Sequence, residues 1–290
     1  MTKPRILIQL DTDPQPSVFD AVVAVDSGVD RLLRHGRVSP ENVRDLVYGA
    51  IFTRGPKDLA NTAIFVGGSD VAAGDALLAA VQATFFGPTR VSVMMDANGA
   101  NTTAAAAVLA VLRHIDAAAS TVTVLGATGP VGQRVVRLLA GEGVAVRVGS
   151  RSEVRAAGVC DSVRTMVPEA RLSAHATATP ADTAVAMSGA AAVVSAGAIG
   201  VTLLPGEVLR ASDALRVAVD LNAVPPLGID GIEATDTAAN RDGILGYGAL
   251  GVGGDKMKIH KAAVDRLFAA NDQVFDAETI LAIGREVIRA

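Results

Sequence analysis

A chain of 290 residues has room for two domains, and a composition that is 50% hydrophobic but only 3% aromatic, rich in Ala and Val, suits helices packed closely on sheets. The net charge of −4, with no basic run, argues against a nucleic-acid partner. The single cysteine, Cys160, excludes an internal disulfide framework and fits a reducing cytoplasm. Met1-Thr-Lys-Pro-Arg leads straight into a short strand, so no secretory signal is expected, and no uninterrupted apolar run reaches membrane-spanning length.

In chain order, Arg5-Ile-Leu-Ile-Gln-Leu10 reads as a buried strand, and Asp11-Thr-Asp-Pro-Gln-Pro-Ser17 as a polar turn. Phe19 to Val25 forms a second apolar element in which Asp20 stands out among apolar neighbours. Ser39-Pro-Glu predicts a helix through Tyr48, with Ser39 as N-cap and Pro40 at the first helical position. A strand over Thr62–Val66, a helix from Asp70 to about Phe86 and a strand over Arg90–Met95 continue the alternation, which implies a mostly parallel sheet. Asp96-Ala-Asn-Gly-Ala-Asn-Thr-Thr103 then forms a polar loop before a helix over about Ala104–Ile115. Ligands of open α/β sheets bind at such strand ends, so this loop, with Asn98, Asn101 and Thr102, is a candidate wall of an interdomain cleft. Capping and turn chemistry alone would also explain it.

Val122-Thr-Val-Leu-Gly-Ala-Thr-Gly-Pro-Val-Gly132 organises the second half. It reads as a buried strand, a Gly-x-x-Gly-x-x-Gly turn and a helix whose Val131, Val135, Leu138 and Leu139 recur at helical spacing. Gly126 permits the tight turn, Gly129 a close approach of backbone to pyrophosphate, and Gly132 close helix–sheet packing. Gly126, Ala127, Thr128, Gly129, Pro130 and Val131 would therefore cradle the phosphates on helix N-terminal amides. A second strand, Val144–Val148, completes a βαβ unit, the context a glycine pattern needs before it counts as a dinucleotide fingerprint.

After that strand an acidic residue would mark NAD; Gly149-Ser-Arg-Ser152 stands there instead. Arg151 suits a 2′-phosphate, and Ser150 and Ser152 can donate to the same group, which favours NADP and leaves NAD open. Further on come a helix over Glu153–Val167 and a strand over Ala190–Ser195. The small-residue end Ala196-Gly-Ala-Ile-Gly200 resembles places where a backbone approaches a nicotinamide ribose, with Ala196 and Ala198 as its contacts. The strand Arg216–Leu221 leads to Asn222-Ala-Val-Pro-Pro-Leu-Gly228, where Asn222 is a further cofactor candidate. Tyr247 to Gly254 reads as a glycine-rich loop opening a helix near Asp255, which puts Lys256 in a first turn where the helix dipole disfavours a cation. A lysine there invites a functional explanation, although most lysines are solvated surface charges. A final helix from about Ala277 is expected to return to the first domain. His35, His114, His175 and His260 are scattered, and no metal-ligand spacing is present.

The segments Asp11–Asp20, Thr62–Gly68, Asp96–Ala105, Gly129–Gly132, Ala196–Gly200, Pro225–Ile229 and Gly248–Gly254 together resemble bacterial NAD(P)-dependent methylene-tetrahydromethanopterin dehydrogenases. The resemblance covers nearly the whole chain. It implies two α/β domains: residues 1–116 bind the pterin and are joined by helices 255–290, and residues 117–254 form a Rossmann-type NAD(P) domain, with a cleft between them. It also implies a cytoplasmic homo-oligomer, a trimer, acting in one-carbon metabolism and formaldehyde oxidation. Where other members carry a basic pair, this chain has Arg151-Ser152, which leaves the NADP preference open, and some members accept methylene-tetrahydrofolate.

Hydride loss from an N–CH₂–N carbon leaves an amidinium shared by two nitrogens, so no general base is needed. The expected roles are a carboxylate, Asp20, favouring the cation, Thr102 orienting the pterin, and Lys256 polarising its ring edge, with Asn98 and Asn101 also on the substrate. Two alternatives are a shikimate-dehydrogenase-like or quinone-reductase-like oxidoreductase, and a regulator that senses NADP without turnover.

Overall fold

The computed structural model describes residues 3–289. The chain divides into two compact units: unit 1 runs up to Thr102 and resumes at Met257, and unit 2 is Thr103–Lys256.

Unit 1 begins with β1 (Ile6–Asp11), α1 (Val18–Asp26), β2 (Arg31–His35), α2 (Arg44–Phe52), β3 (Thr62–Gly67), α3 (Val71–Thr84) and β4 (Ser92–Met95). Helix α4 (Ala100–Leu112) follows and carries the chain across the boundary. Unit 2 contains β5 (Thr121–Leu125), α5 (Pro130–Gly141), β6 (Ala145–Ser150), α6 (Glu153–Met166), β7 (Leu172–Ala176), α7 (Pro180–Met187), β8 (Ala192–Ser195), α8 (Gly206–Arg210), β9 (Val217–Asp220), β10 (Thr237–Arg241) and β11 (Ile244–Tyr247). Helix α9 (Ala249–Arg266) crosses back, and β12 (Val274–Phe275) and α10 (Ala277–Arg289) complete unit 1.

The unit 1 sheet is parallel, in the order β12-β4-β3-β1-β2. Every residue of β3 is buried, as a strand covered on both faces requires. The strand order reverses between β1 and β3, so the ligand-binding end of this sheet lies past Asp11 and Gly67. The two-residue strand β12 pairs with β4, and Ser92 Oγ donates to the Ala270 carbonyl beside it.

Unit 2 has the order β10-β11-β9-β8-β5-β6-β7, parallel except for β10 against β11. Its six parallel strands follow the doubly wound dinucleotide-binding order, with the reversal between β5 and β8. Val122 and Val124 of β5 are buried, and of the apolar stripe read from the sequence Val135, Leu138 and Leu139 of α5 are buried and Val131 half-buried.

Some elements differ from expectation. Helix α2 starts at Arg44 rather than at Ser39–Pro40. The Asn42 Oδ1 accepts from the Ser39 amide, and Ser39 Oγ donates to Glu41, so local side-chain bonds hold this stretch as a turn. Strands β2, β7, β10 and β11 carry weak apolar alternation and were not anticipated; β2 and β10 are exposed edges. Among the described residues no helix is long and apolar enough to cross a membrane.

Candidate active site

The glycine turn follows β5 at the strand-order reversal of unit 2. Gly126 has φ +69°, and a methyl group on it would lie 2.7 Å from the Gly197 backbone. One on Gly132 would lie 2.7 Å from the Gly126 carbonyl oxygen. Packing inside the chain therefore demands glycine at both positions. Gly129 is different, since a methyl group there would meet nothing closer than 3.5 Å. A bare backbone that packing does not demand is what a close approach of pyrophosphate uses in this kind of turn. Pro130 opens α5, and the first amides of that helix have no intrahelical acceptor. The Ala127 amide donates to the Gly149 carbonyl and Gln133 Nε2 donates to the Thr128 carbonyl, so the turn is braced from both sides. The glycines, the braced turn and the free helix start fit a dinucleotide pyrophosphate.

At the end of β6, Ser150 is buried and its Oγ accepts from the Ser152 amide. Ser152 caps α6 by accepting from the Arg155 amide, and Glu153 lies inside the first turn of that helix. Arg151 between the serines is exposed, and no carboxylate occupies the strand end. At β8 the Ala196 amide donates to the Leu125 carbonyl, which seats Ala196–Ala198 beside the glycine turn. Asn222 spends its side chain within its own loop: Nδ2 donates to the Pro226 carbonyl, and Oδ1 accepts from the Val224 amide. Unit 2 thus brings Gly126–Val131, Ser150–Ser152, Ala196, Ala198 and Asn222 to one end of its sheet.

Unit 1 builds its strand ends from carboxylates. Asp11 is fully buried; its Oδ1 accepts from the Asp13 amide at 2.9 Å and its Oδ2 from the Ser17 amide at 3.1 Å. Gln9 and Arg34 add bonds to Ser17 and Pro16 carbonyls, fixing the entry to α1. Asp20 stands in the first turn of α1, its amide bonded to Ser17 Oγ. The Thr12 hydroxyl is buried without a hydrogen-bond partner beside Gly68.

Asp96, also fully buried, caps α4 through the amides of Asn101 and Thr102 and accepts from Thr102 Oγ1 at 2.6 Å. Asn101 is buried and its Nδ2 donates to the Met95 carbonyl. Asn98 is exposed at φ +55°, a left-handed position that a non-glycine residue rarely holds, and its amide donates to the Gly68 carbonyl. His260 is buried, stacked on Phe65 at 5.7 Å, with Nδ1 3.9 Å from Asp96 Oδ2.

Lys256 is not in a first turn. Helix α9 begins at Ala249, so the segment expected as a glycine loop is helical and Lys256 lies two turns in. A methyl group on Gly251 would collide with the Asp236 carbonyl, and one on Gly248 with that of Glu233. Close backbone packing here overrides the poor helix propensity of glycine. The helix-dipole argument for Lys256 falls with that correction. Cys160 is buried and its thiol is pushed up by burial, which makes it inert.

Sequence reading missed Asp11 and Asp220 as anchors. A usable signal was present: each is a lone carboxylate closing an otherwise apolar strand, Ile-Leu-Ile-Gln-Leu-Asp11 and Val-Ala-Val-Asp220.

The family described as methylene-tetrahydromethanopterin dehydrogenase, N-terminal, matches residues 18–98. The chain is 46% identical over 285 residues to the bifunctional protein MdtA of Methylorubrum extorquens, covering 98% of this chain and 99% of that one. It is 33% identical over 260 residues to the NAD(P)-dependent methylenetetrahydromethanopterin dehydrogenase of the same organism, covering 83% and 84%. Among solved structures, shikimate 5-dehydrogenase from Listeria monocytogenes matches over 97% of this chain and 96% of its own, at TM-score 0.55 and 14% identity, a likeness of fold alone. With relatives of this identity aligned over most of its length, the chain belongs to the NAD(P)-dependent methylene-tetrahydromethanopterin dehydrogenase family.

Proposed function

We propose that this protein transfers a hydride from methylene-tetrahydromethanopterin to NAD(P)⁺, leaving methenyl-tetrahydromethanopterin. The observation that carries this is the glycine turn after β5, where Gly129 lacks a side chain that packing would allow, in a chain of this family. The nicotinamide ring supplies the hydride acceptor. The protein supplies position and charge, because an N–CH₂–N carbon that loses a hydride is stabilised by its own two nitrogens and no proton has to move.

The residue roles are as follows. The backbone of Gly126–Val131 cradles the pyrophosphate, with the Ala127 and Gly129 amides bonded within the chain and Pro130 carrying no N–H. Arg151, with Ser150 and Ser152, reads the adenosine ribose, and its guanidinium favours the 2′-phosphate of NADP. Ala196 and Ala198 border the nicotinamide ribose, and Asn222 shapes the neighbouring loop. The Asp20 carboxylate favours the cation as it develops. Lys256 binds the pterin ring edge and Asn98 its rim. Thr102 is fully buried and donates its proton to Asp96, so it orients the pterin only through the start of α4, which Asn101 also keeps in place. Resemblance to the family further supports a cytoplasmic homo-oligomer, a trimer.

The test is formation of reduced nicotinamide, followed by absorbance, with two cofactors crossed against methylene-tetrahydromethanopterin and methylene-tetrahydrofolate. Activity with the methanopterin substrate and a preference for NADP are expected; no turnover with any pair overturns the reading. Asp20→Asn, Thr102→Ala and Lys256→Ala test the substrate roles, and wild-type turnover in all three removes them.

A further inference from the structure

We propose that Asp220 is a positioning residue for the dinucleotide, acting through a chain of hydrogen bonds and packing contacts that ends on the phosphate turn. The inference rests on dinucleotide binding by unit 2.

Asp220 closes β9 and is only 1% exposed. Its Oδ1 accepts from the Asn222 amide at 3.1 Å and its Oδ2 from the Ile229 amide at 3.0 Å, so one carboxylate ties both ends of the 222–229 loop. Gly228 is pressed onto it: a methyl group there would lie 2.6 Å from Asp220 Oδ1 and 2.3 Å from the buried Ser195 Oγ. The Gly228 carbonyl accepts from the amides of Leu203 and Leu204 at 2.8 and 3.0 Å. The Leu203 side chain in turn covers Gly197, where a methyl group would fall 2.5 Å from its Cδ1. Gly197 is the residue whose backbone packs on Gly126.

Each link is a hydrogen bond or a contact with no room for even one added methyl group, so displacement at Asp220 is passed to the turn. Burial pushes the Asp220 carboxyl up against the pull of those backbone amides, and the group is kept where an apolar residue would leave the amides without an acceptor. Asp220 reaches no nucleotide in this scheme; it sets the wall the nucleotide leans on.

The experiment is direct titration of NADPH by fluorescence, with steady-state kinetics alongside. Asp220→Asn keeps the volume but turns an N–H donor toward an amide N–H. It should raise the NADPH Kd and the dinucleotide KM about 10-fold or more, leaving the pterin KM within about twofold. Leu203→Ala, which loosens the middle of the chain, should move the same constants less, and it carries the test if Asp220→Asn does not fold. Thr123→Val is the control: it removes a buried bond to the Ala186 carbonyl in the same sheet and should lower Tm without moving the Kd. An unchanged Kd in Asp220→Asn and Leu203→Ala, or a pterin KM that moves as far as the dinucleotide KM, overturns the proposal while dinucleotide binding stands. A wild-type protein that binds no dinucleotide removes both.

Discussion

The turns after β1 and β4 in unit 1 and the turn after β5 in unit 2 are held by different means, although β9 of unit 2 also closes on a carboxylate, Asp220. In unit 1, Asp11 and Asp96 are buried carboxylates that consume the amides of the following turns. In unit 2, the turn after β5 has no buried carboxylate; close-packed glycine backbones and the Gln133 side chain hold it. A turn organised by a carboxylate has spent its N–H groups, repels anions and presents side chains. A turn organised by glycine carries no negative side chain and leads into the amides of a helix start, which attract phosphate. The first suits a neutral heterocycle read by donors and acceptors, and the second a pyrophosphate.

The largest expected effect breaks the glycine side. Gly126→Val puts a branched side chain where even a methyl group overlaps Gly197, at a positive φ. Dinucleotide KM should rise at least about 100-fold, read by kinetics at saturating pterin. Next, Asp11→Ala removes the carboxylate side and strands two amides. It should cost about 2–4 kcal/mol of stability by denaturant titration and raise the pterin KM. The NADPH Kd should not move, and a matching rise in it would end the distinction between the units.

Arg151→Ala sharpens the picture within unit 2. The KM for NADP should rise about 10- to 100-fold while that for NAD changes little, as loss of a charge-assisted phosphate contact predicts. An equal rise for both cofactors assigns Arg151 to the surface.

The smallest effect lies away from both turns. His114 Nε2 is 2.7 Å from the Tyr247 hydroxyl, and burial, aided by Arg113, holds the imidazole below its ordinary value. The native state therefore binds this proton less readily than the unfolded chain. Its contribution to stability is complete above the ordinary histidine range and declines as pH falls through that range toward the lowered native value. Comparing Tm across pH 5 to 8 for wild type and His114→Gln should show a slightly shallower acid decline in the variant.

The glycine turn was legible because its signal is local: apolar strand, three spaced glycines and an amphipathic helix lie in one run of residues. So were the apolar strands β1, β3, β4, β8 and β9. The beginning of α9 was not, because Gly248, just before the helix, and Gly251, inside it, pack against the backbone of residues 233–236, a contact invisible in a linear reading. Asp96 was read as a loop residue, and its grip on Thr102 depends on a helix beginning earlier than the polar run suggested. Strand β2 escaped because Arg31-Leu-Leu-Arg-His35 has one face barely buried, so no alternation marks it.

The pairing of β12 with β4 has a consequence during synthesis. The outermost strand on this side of the first sheet comes from residues made about 180 positions after its neighbour, once all of unit 2 has been synthesised. Until then β4 is a bare, apolar sheet margin, open to any other extended chain, so a ribosome that stalls before Val274 releases a product prone to aggregate.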